Sequence, residues 1–592
     1  MGSLRALVVC PSVSRSLYFG PPASIIPRMK KHFFSHTLFG FRLSTLVICA
    51  AFALIGVAAL GLDLLNHGLI YEYFWDVTGE TEPDQQLLGF GQVLMRYTRQ
   101  QPDTQPYAHV EHADVNPFGV NTFLDQEVEL SKREQQMQMI ADGGFHWIRQ
   151  QFRWADLEIH AKGDFVDRRN DPNGVNAWDK YDHIVDLAEQ YGIEIIARLS
   201  DPPAWSQAPG TENNYTPPAD YQDFVDYATA VAGRYQGRIS YYQVWNEPNL
   251  YPEWGNQTVN AEAYTDLLCR TYHALKEVDP QIVVITGALG PTIDLSGRDA
   301  YDLLYLQRMY QAGAGACFDI LSMQGYGLWS GPTDQRLRPV TINFQRVLWI
   351  RDMMVKNGDA HKAIWISEAG WNPVPNDPTI ANLDQYGRVT MDQAAEWAAL
   401  AYERAIKDWP WVGVVNWWYL KRADEAEKGQ SWYYFRLLEP NFTPTPVYES
   451  LKAYMTGDQP KILGAGRHGL DSRGMIGQGE DGRETRTYRF DGTSVSLCAA
   501  DPPETLAVAA ILDGESETLL FTAGLSGCVQ VCGELDSGTH TLVLSADSWE
   551  GLDSLAVIDH TARHRLPWLL VGILAALGVL LILGSALDQR LS

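Results

Sequence analysis

The sequence predicts an α/β fold: a (β/α)8 TIM barrel followed by a small all-β sandwich, with a transmembrane helix on either side. Three observations lead there. Between Pro117 and Tyr454, eight short apolar or β-branched runs alternate with segments of helical period, the pattern of βα units around a parallel sheet. After Gly457 the composition turns to Gly, Asp and Ser, and short alternating runs replace the helical periods. Near each end lies an uncharged apolar run long enough to cross a bilayer core of ~30 Å.

Residues 1–42 form a basic tail with Arg5, Arg15, Arg28, Lys30, Lys31 and Arg42 and no acid. The first transmembrane helix is expected over 43–65, around "STLVICAAFALIGVAALGL". A cleaved signal peptide is the competing reading, because "GVAAL" offers small residues, but the apolar core exceeds the usual ~7–15 residues. Asp63, Glu72, Asp76, Glu80, Glu82 and Asp84 follow before any cation, so the positive-inside bias keeps the tail cytoplasmic and puts residues 66–565 outside the cell. Residues 66–108 are read as a stalk, with "YEYFW" at the membrane interface.

The barrel is assigned to 109–457. Its strands are expected at Phe118–Phe123, His146–Phe152, Glu194–Ser200, Tyr241–Glu247, Ile282–Leu289, Phe318–Tyr326, Ala363–Glu368 and Val412–Tyr419. Helical segments such as "DKYDHIVDLAEQYG" and "MDQAAEWAALAYERAIKD" lie between them, several opening on Asp or Ser and closing on Gly or Pro. An open doubly wound sheet would want a Gly-rich phosphate turn after an early strand, and the sequence has none. Residues 458–480 are read as a linker and 481–560 as the β-sandwich, with the second transmembrane helix at 566–587, "LPWLLVGILAALGVLLILGSAL". Of seven cysteines, Cys498, Cys528 and Cys532 fall in the sandwich. The last two are four apart, ~13 Å in an extended strand, so Cys498 is expected to pair with one of them outside the cell.

With 46 Lys and Arg against 72 Asp and Glu, the formal charge of −26 opposes nucleic acid and anionic membrane surfaces and suits neutral substrates better. No cysteine and histidine spacing resembles a zinc site, so no metal is expected.

In the barrel reading Glu247, in "YYQVWNEPNLYPEW", ends strand four, and Glu368, in "IWISEAGW", ends strand seven. Both then face the barrel mouth, where (β/α)8 chemistry sits. Two carboxyls on one cleft suit glycosidic bond cleavage, one protonating the leaving oxygen and the other stabilising or attacking the oxocarbenium-like centre. Trp154, Trp205, Trp254, Trp329, Trp371, Trp417 and Trp418 fall at or just after strand ends, and flat amphipathic rings there suit the faces of sugars.

"WNEPN" with a second Glu ending strand seven resembles the clan A glycoside hydrolases, retaining enzymes on (β/α)8 barrels. "VWNEPNLYPEW" looks most like family 39, which includes β-xylosidases and exopolysaccharide hydrolases, with family 5 cellulases the near alternative. The resemblance implies Glu247 as acid/base, Glu368 as nucleophile and Asn246 as partner of the sugar 2-hydroxyl. Arg149 would lie near the nucleophile and Tyr326 would orient it. Trp417 or Trp418 would supply the platform under the sugar, one only, because neighbours on a strand alternate; Trp205 and Trp371 are further sugar-binding candidates. Where the clan often has His two residues before the Tyr, Gln324 stands here, a neutral amide that cannot titrate near pH 7. The resemblance implies retaining chemistry with carboxyls ~5–5.5 Å apart and the acid's pKa raised. It implies an oligo- or polysaccharide substrate and no cofactor. The sandwich strands look like those of jelly-roll carbohydrate-binding modules, though a spacer would need the same strands. A surface lectin on the same barrel, or a transglycosylase, are the competing functions.

Overall fold

The computed structural model describes residues 37–38, 41–96, 98–211, 213–471, 473–479 and 482–560. The run at 566–587 and the basic tail up to residue 36 lie outside the described residues. The chain divides into two compact units, 1–59 with 569–592, and 60–568. In the first, Thr37–Leu38 pairs antiparallel with Phe41–Arg42 before helix α1 (Leu43–Leu65), which runs on into the second unit. Among the described residues no single helix is long and apolar enough to cross a membrane; Ala50–Leu65 and Leu69–Thr78 pass by length and composition only as a pair bent by 70°.

In the second unit, the segment read as a stalk opens with two helices, α2 (Leu69–Thr78) and α3 (Pro83–Arg96). They are docked on the barrel. Gly331 N–H donates to the Gly79 carbonyl (2.8 Å), Gln335 N–H to that of Val77 (3.0 Å), and Arg336 pairs with Glu80 (2.6 Å). Gly79 closes α2 at φ +63°, and a side chain there would press within 2.8 Å of the Gly331 backbone, so glycine is needed for both conformation and approach.

The barrel strands are β1 (Phe118–Thr122), β2 (Trp147–Arg153), β3 (Glu194–Ser200), β4 (Tyr241–Asn246), β5 (Val283–Ala288), β6 (Leu321–Tyr326), β7 (Ile364–Gly370) and β8 (Val412–Trp417). They pair in parallel in the order β6-β7-β8-β1-β2-β3-β4-β5. Single parallel bridges, Ile285 to Ile320 and Leu289 to Met323, join the β5 and β6 ends and nearly close the barrel. The strands are buried along almost their whole length, because helices cover the outside and layered side chains fill the inside, which is why their sequences read as apolar runs rather than alternations. All eight expected strands are present. The sixth starts three residues late: a short 3-10 turn at Ala314–Ala316 leads into it, and Cys317 is bonded to Cys269 on the helix that follows β4, Ala261–Val278.

After the barrel come two antiparallel-rich sheets, and their strands begin earlier than the composition shift suggested. Ile462–Leu463, Gly466–Gly469 and Met475–Gln478, inside the stretch read as a linker, already pair with sheet strands. The six-stranded sheet centres on Glu484–Gly492 and Gly538–Ala546, and the four-stranded one on Ser494–Ala499 and Leu552–Ile558. Cys498 is bonded to Cys528, its cross-strand neighbour, as one of the two expected pairings; Cys532 is free. This all-β region packs on the barrel end opposite the mouth. Arg473 donates to the carbonyls of Ala113 (2.9 Å), in the segment leading into β1, and Val412 (3.2 Å), at the start of β8, Asp471 N–H donates to Asp114 (3.0 Å), and Lys407 pairs with Asp491.

Candidate active site

Strand alternation and one local distortion build the site. Along β4, Gln243 points inward, and Trp245 at φ +75° breaks the regular pleat. Asn246 and Glu247 then both reach the mouth, Glu247 itself at φ +38° with its N–H bonded to the Ala288 carbonyl (2.9 Å). Non-glycine residues in this region are strained and cluster at functional sites. Gly290, after β5, gives Glu247 room: a side chain there would lie 3.1 Å from the carboxyl and 2.7 Å from Leu250.

Across the mouth, Glu368 on β7 is buried and gripped by two donors. Arg149 Nη1 gives to Oε1 (2.9 Å) and the Tyr326 hydroxyl to Oε2 (2.6 Å). The Arg149 guanidinium is wholly committed: it also donates to Asn121 Oδ1 (2.8 Å), Gln243 Oε1 (2.6 Å) and Asn246 Oδ1 (2.7 Å). Gln243 in turn donates to the Thr286 carbonyl (3.0 Å) and Ser367 (2.9 Å). Asn246, Arg149, Tyr326 and Glu368 are thus brought together as the sequence expected. Burial, countered in part by Glu368, lowers the Arg149 guanidinium to about 10, and Arg198 nearby adds to the lowering.

Burial drives the Glu247 carboxyl well above its ordinary value, and the charges of Glu368 and Glu253 push it further the same way. Gln324 draws it down a little by facing it, but neither the amide nitrogen nor the amide oxygen of Gln324 reaches a partner in good hydrogen-bond geometry, so we read a close approach and not a formed bond. A third carboxyl, Glu253, sits on the short turn Pro252–Trp254 and accepts from Asn246 Nδ2 (3.3 Å). Burial raises it to about 7 against the opposing pull of Arg198 and the Asn246 bond. Tyr386 is raised to about 12, first by burial and then by Glu247, Glu368 and Glu253. A proton-holding acid therefore faces a carboxylate held by two donors across one cleft, which is the equipment for acid-assisted displacement at a carbon.

Most of the tryptophans are corrected to core. Trp371 and Trp417 are each 1 % exposed; Trp371 donates to the Ser330 carbonyl and packs between Trp397 and Trp417. Trp154 and Trp254 are equally buried. Trp205 is half-buried, its N–H on the Glu158 carbonyl (2.6 Å) and its edge on Trp154. Trp418 alone of the pair lines the mouth, as alternation required. Strand ends in a barrel carry bulky side chains into the helix layer as often as into the cleft, and position along the chain does not separate the two.

Asn121, Gln243, Glu253 and Arg198 escaped the sequence reading. Gln243 and Arg198 could have been found by counting inward positions along β4 and β3. Nothing in "NLYPEW" marks Glu253, because its place depends on how the Pro252 turn folds back.

Residues 108–337 match the family model Cellulase (glycosyl hydrolase family 5), a stretch running from before β1 to beyond β6 and including Glu247. This bears out the resemblance read from "WNEPN": the segment is an O-glycosyl hydrolase domain. No curated protein matches the chain by sequence. Among solved structures, a family 39 glycoside hydrolase from the gut symbiont Bacteroides cellulosilyticus WH2 aligns at 17 % identity over 74 % of this chain and 83 % of its own, with a TM-score of 0.44. A monomeric β-xylosidase from Caulobacter crescentus CB15 aligns at 14 % identity over 76 % and 97 %, TM-score 0.42. The GH5_18 protein from Streptomyces cattleya in complex with GlcNAc aligns at 18 % over 60 % and 85 %, TM-score 0.41.

Proposed function

We propose that the chain is a membrane-anchored, extracytoplasmic retaining glycoside hydrolase that cleaves a β-linked glycan or exopolysaccharide by double displacement. The observation that carries this reading is the pairing of Glu368, held by Arg149 and Tyr326, with Glu247, whose carboxyl is kept protonated by burial and by the two neighbouring acids. Glu368 attacks the anomeric carbon as Glu247 gives its proton to the departing glycosidic oxygen. Water then enters from the Glu247 side, loses a proton to it, and displaces Glu368, so configuration is retained. Asn246 meets the sugar 2-hydroxyl and Trp418 lies under the ring. Both carboxyls and a water suffice for the chemistry.

The anchor is supported by the uncharged run in α1 and by the acid-free basic tail before it. Protease added to intact cells is expected to degrade residues 66–565 and spare the tail; a protected barrel reverses the orientation.

The chemistry is tested with Glu368→Gln and Glu247→Ala on a panel of plant and bacterial β-glycans. Glu368→Gln is expected to abolish turnover and keep binding. Glu247→Ala is expected to lose most rate on poor leaving groups and least on activated aryl glycosides, which need little proton assistance. Equal turnover by Glu368→Gln and the unaltered protein removes the nucleophile from this reading. Binding without turnover by the unaltered protein makes the chain a surface lectin, and transfer to sugar acceptors in place of water makes it a transglycosylase.

A further inference from the structure

Arg198 lies on β3 in register with Gln151 of β2 and Gln243 of β4, on the inward face. It lines a recess in the barrel mouth with Asn121, Thr122, Phe123, Arg149, Gln151 and Trp418. The recess is small, about 210 Å3 with the solvent at its opening included, and it opens to the mouth, so a group reaching Arg198 enters from a sugar that stays in the cleft.

Every other polar side chain in that lining has its donors in use. Thr122 gives to Gln150 (2.9 Å), Gln151 to Ser200 (2.9 Å), Asn121 to the Ser367 carbonyl (2.8 Å), and Arg149 to the four acceptors described above. Arg198 makes no hydrogen bond and no ion pair among the described residues, and its Nε is buried without a partner. Neither nearby acid takes it up: Glu253, which feels its charge, accepts from Asn246, and Asp201 gives Oδ2 to Arg153 (2.9 Å), while its buried Oδ1 has no hydrogen-bond partner and makes no ion pair with Arg198. A guanidinium has five donors and no acceptor, and a partly buried one left unpaired is an exception that wants a cause.

We infer that Arg198 receives a carboxylate of the substrate, so that the glycan carries a uronic acid at the sugar seated on Trp418. The planar fork of a guanidinium matches a carboxylate through two parallel hydrogen bonds, which a hydroxyl cannot equal. The chain's charge of −26 does not forbid this. Charges further off than ~10 Å are largely screened at 0.1 M salt, and among the described residues lining the recess Arg198 is the cation that neither a hydrogen bond nor an ion pair occupies. The inference rests on the two-glutamate reading only for which sugar lies on Trp418; the binding of the carboxylate does not need turnover.

The test uses the full chain in detergent and β-linked oligosaccharides of glucuronate, galacturonate and mannuronate, each beside its carboxyl-reduced neutral counterpart. At least one acidic member should bind tenfold or more tighter than its reduced partner, about what a hydrogen-bonded charge contributes. Arg198→Gln should bring that ratio close to one, and Arg198→Lys, which keeps the charge and loses the fork, should keep part of it. The inference is overturned if the neutral members bind as well as the acidic ones, if no acidic member binds, or if Arg198→Gln leaves the ratio unchanged. Glu368→Gln on the same panel separates the two readings. Surviving turnover with an intact acidic preference removes the nucleophile and keeps Arg198, whereas lost turnover with no acidic preference does the reverse.

Discussion

Replacing Glu253 by Gln removes a charge from the site and keeps an oxygen for Asn246 Nδ2 to reach. In the folded chain this carboxyl is raised by burial from 4.5 to about 7. At about 1.4 kcal/mol per pH unit, the ionised form is disfavoured by about 3 kcal/mol, or about 2–3 kcal/mol once the partial exposure of Glu253 is allowed for. The sign follows from linkage. Below pH 4.5 the carboxyl is protonated folded or unfolded, and the variant gains nothing. From 4.5 to 7 the unfolded chain ionises first, so the unaltered protein loses stability with each step while Glu253→Gln does not. Above 7 both states are ionised and the gap stays constant. Urea unfolding of the two full-length proteins at pH 4.5, 5.5, 7 and 8.5 reads the difference directly. The variant should match at the first pH and lead by about 2–3 kcal/mol at the last two. A lead that is flat or shrinking across 4.5 to 7 refutes the assignment of Glu253 as an acid held above its ordinary range.

Tyr326→Phe deletes one hydrogen bond to a buried carboxylate, worth about 1.5–3 kcal/mol, so kcat on an aryl glycoside should fall roughly 10- to 150-fold with KM little changed. Trp417→Ala should cost about 3–5 kcal/mol of stability as a core cavity, whereas Trp418→Ala should weaken sugar binding with a much smaller change in melting. Peptide mapping without reductant should recover Cys269 joined to Cys317 and Cys498 to Cys528, with Cys532 as a thiol; the first bridge closes a 48-residue separation, and its removal should cost up to about 4 kcal/mol.

The barrel was legible because its signal is repeated. Each strand is an apolar run with a capped helix after it, and eight such units constrain one another even where a boundary slips, as at Leu321. Glu247 and Glu368 were legible because one follows β4 and the other lies near the end of β7, and those ends must meet in one mouth. The tryptophans were not, since a ring one position along a strand turns from cleft to core. Trp417 and Trp418 differ by that single step, and the sequence fixes the alternation but not its phase. Glu253 depends on how a turn folds back, which is a three-dimensional fact; Arg198 holds a countable inward position on β3, but its unmet donor shows only in three dimensions. The helices in the stretch read as a stalk were missed for another reason. Their apolar positions are shared between barrel contact and exposure, so Leu69, Leu87 and Leu88 stand open while Phe74 and Val93 are covered, which blurs the period.

Those two helices change how the enzyme can search for substrate. Had residues 66–108 been a free coil, the barrel would have roamed on a leash of ~36 Å root-mean-square length, sampling a hemisphere of polymer. With Gly79 laid against Gly331, only five residues beyond Tyr326, the leash is wound in and fastened beside the cleft. Reach is then set by the cleft itself: polymer has to be threaded past a rim that α2 and α3 help to build, because the segment holding them is no longer slack.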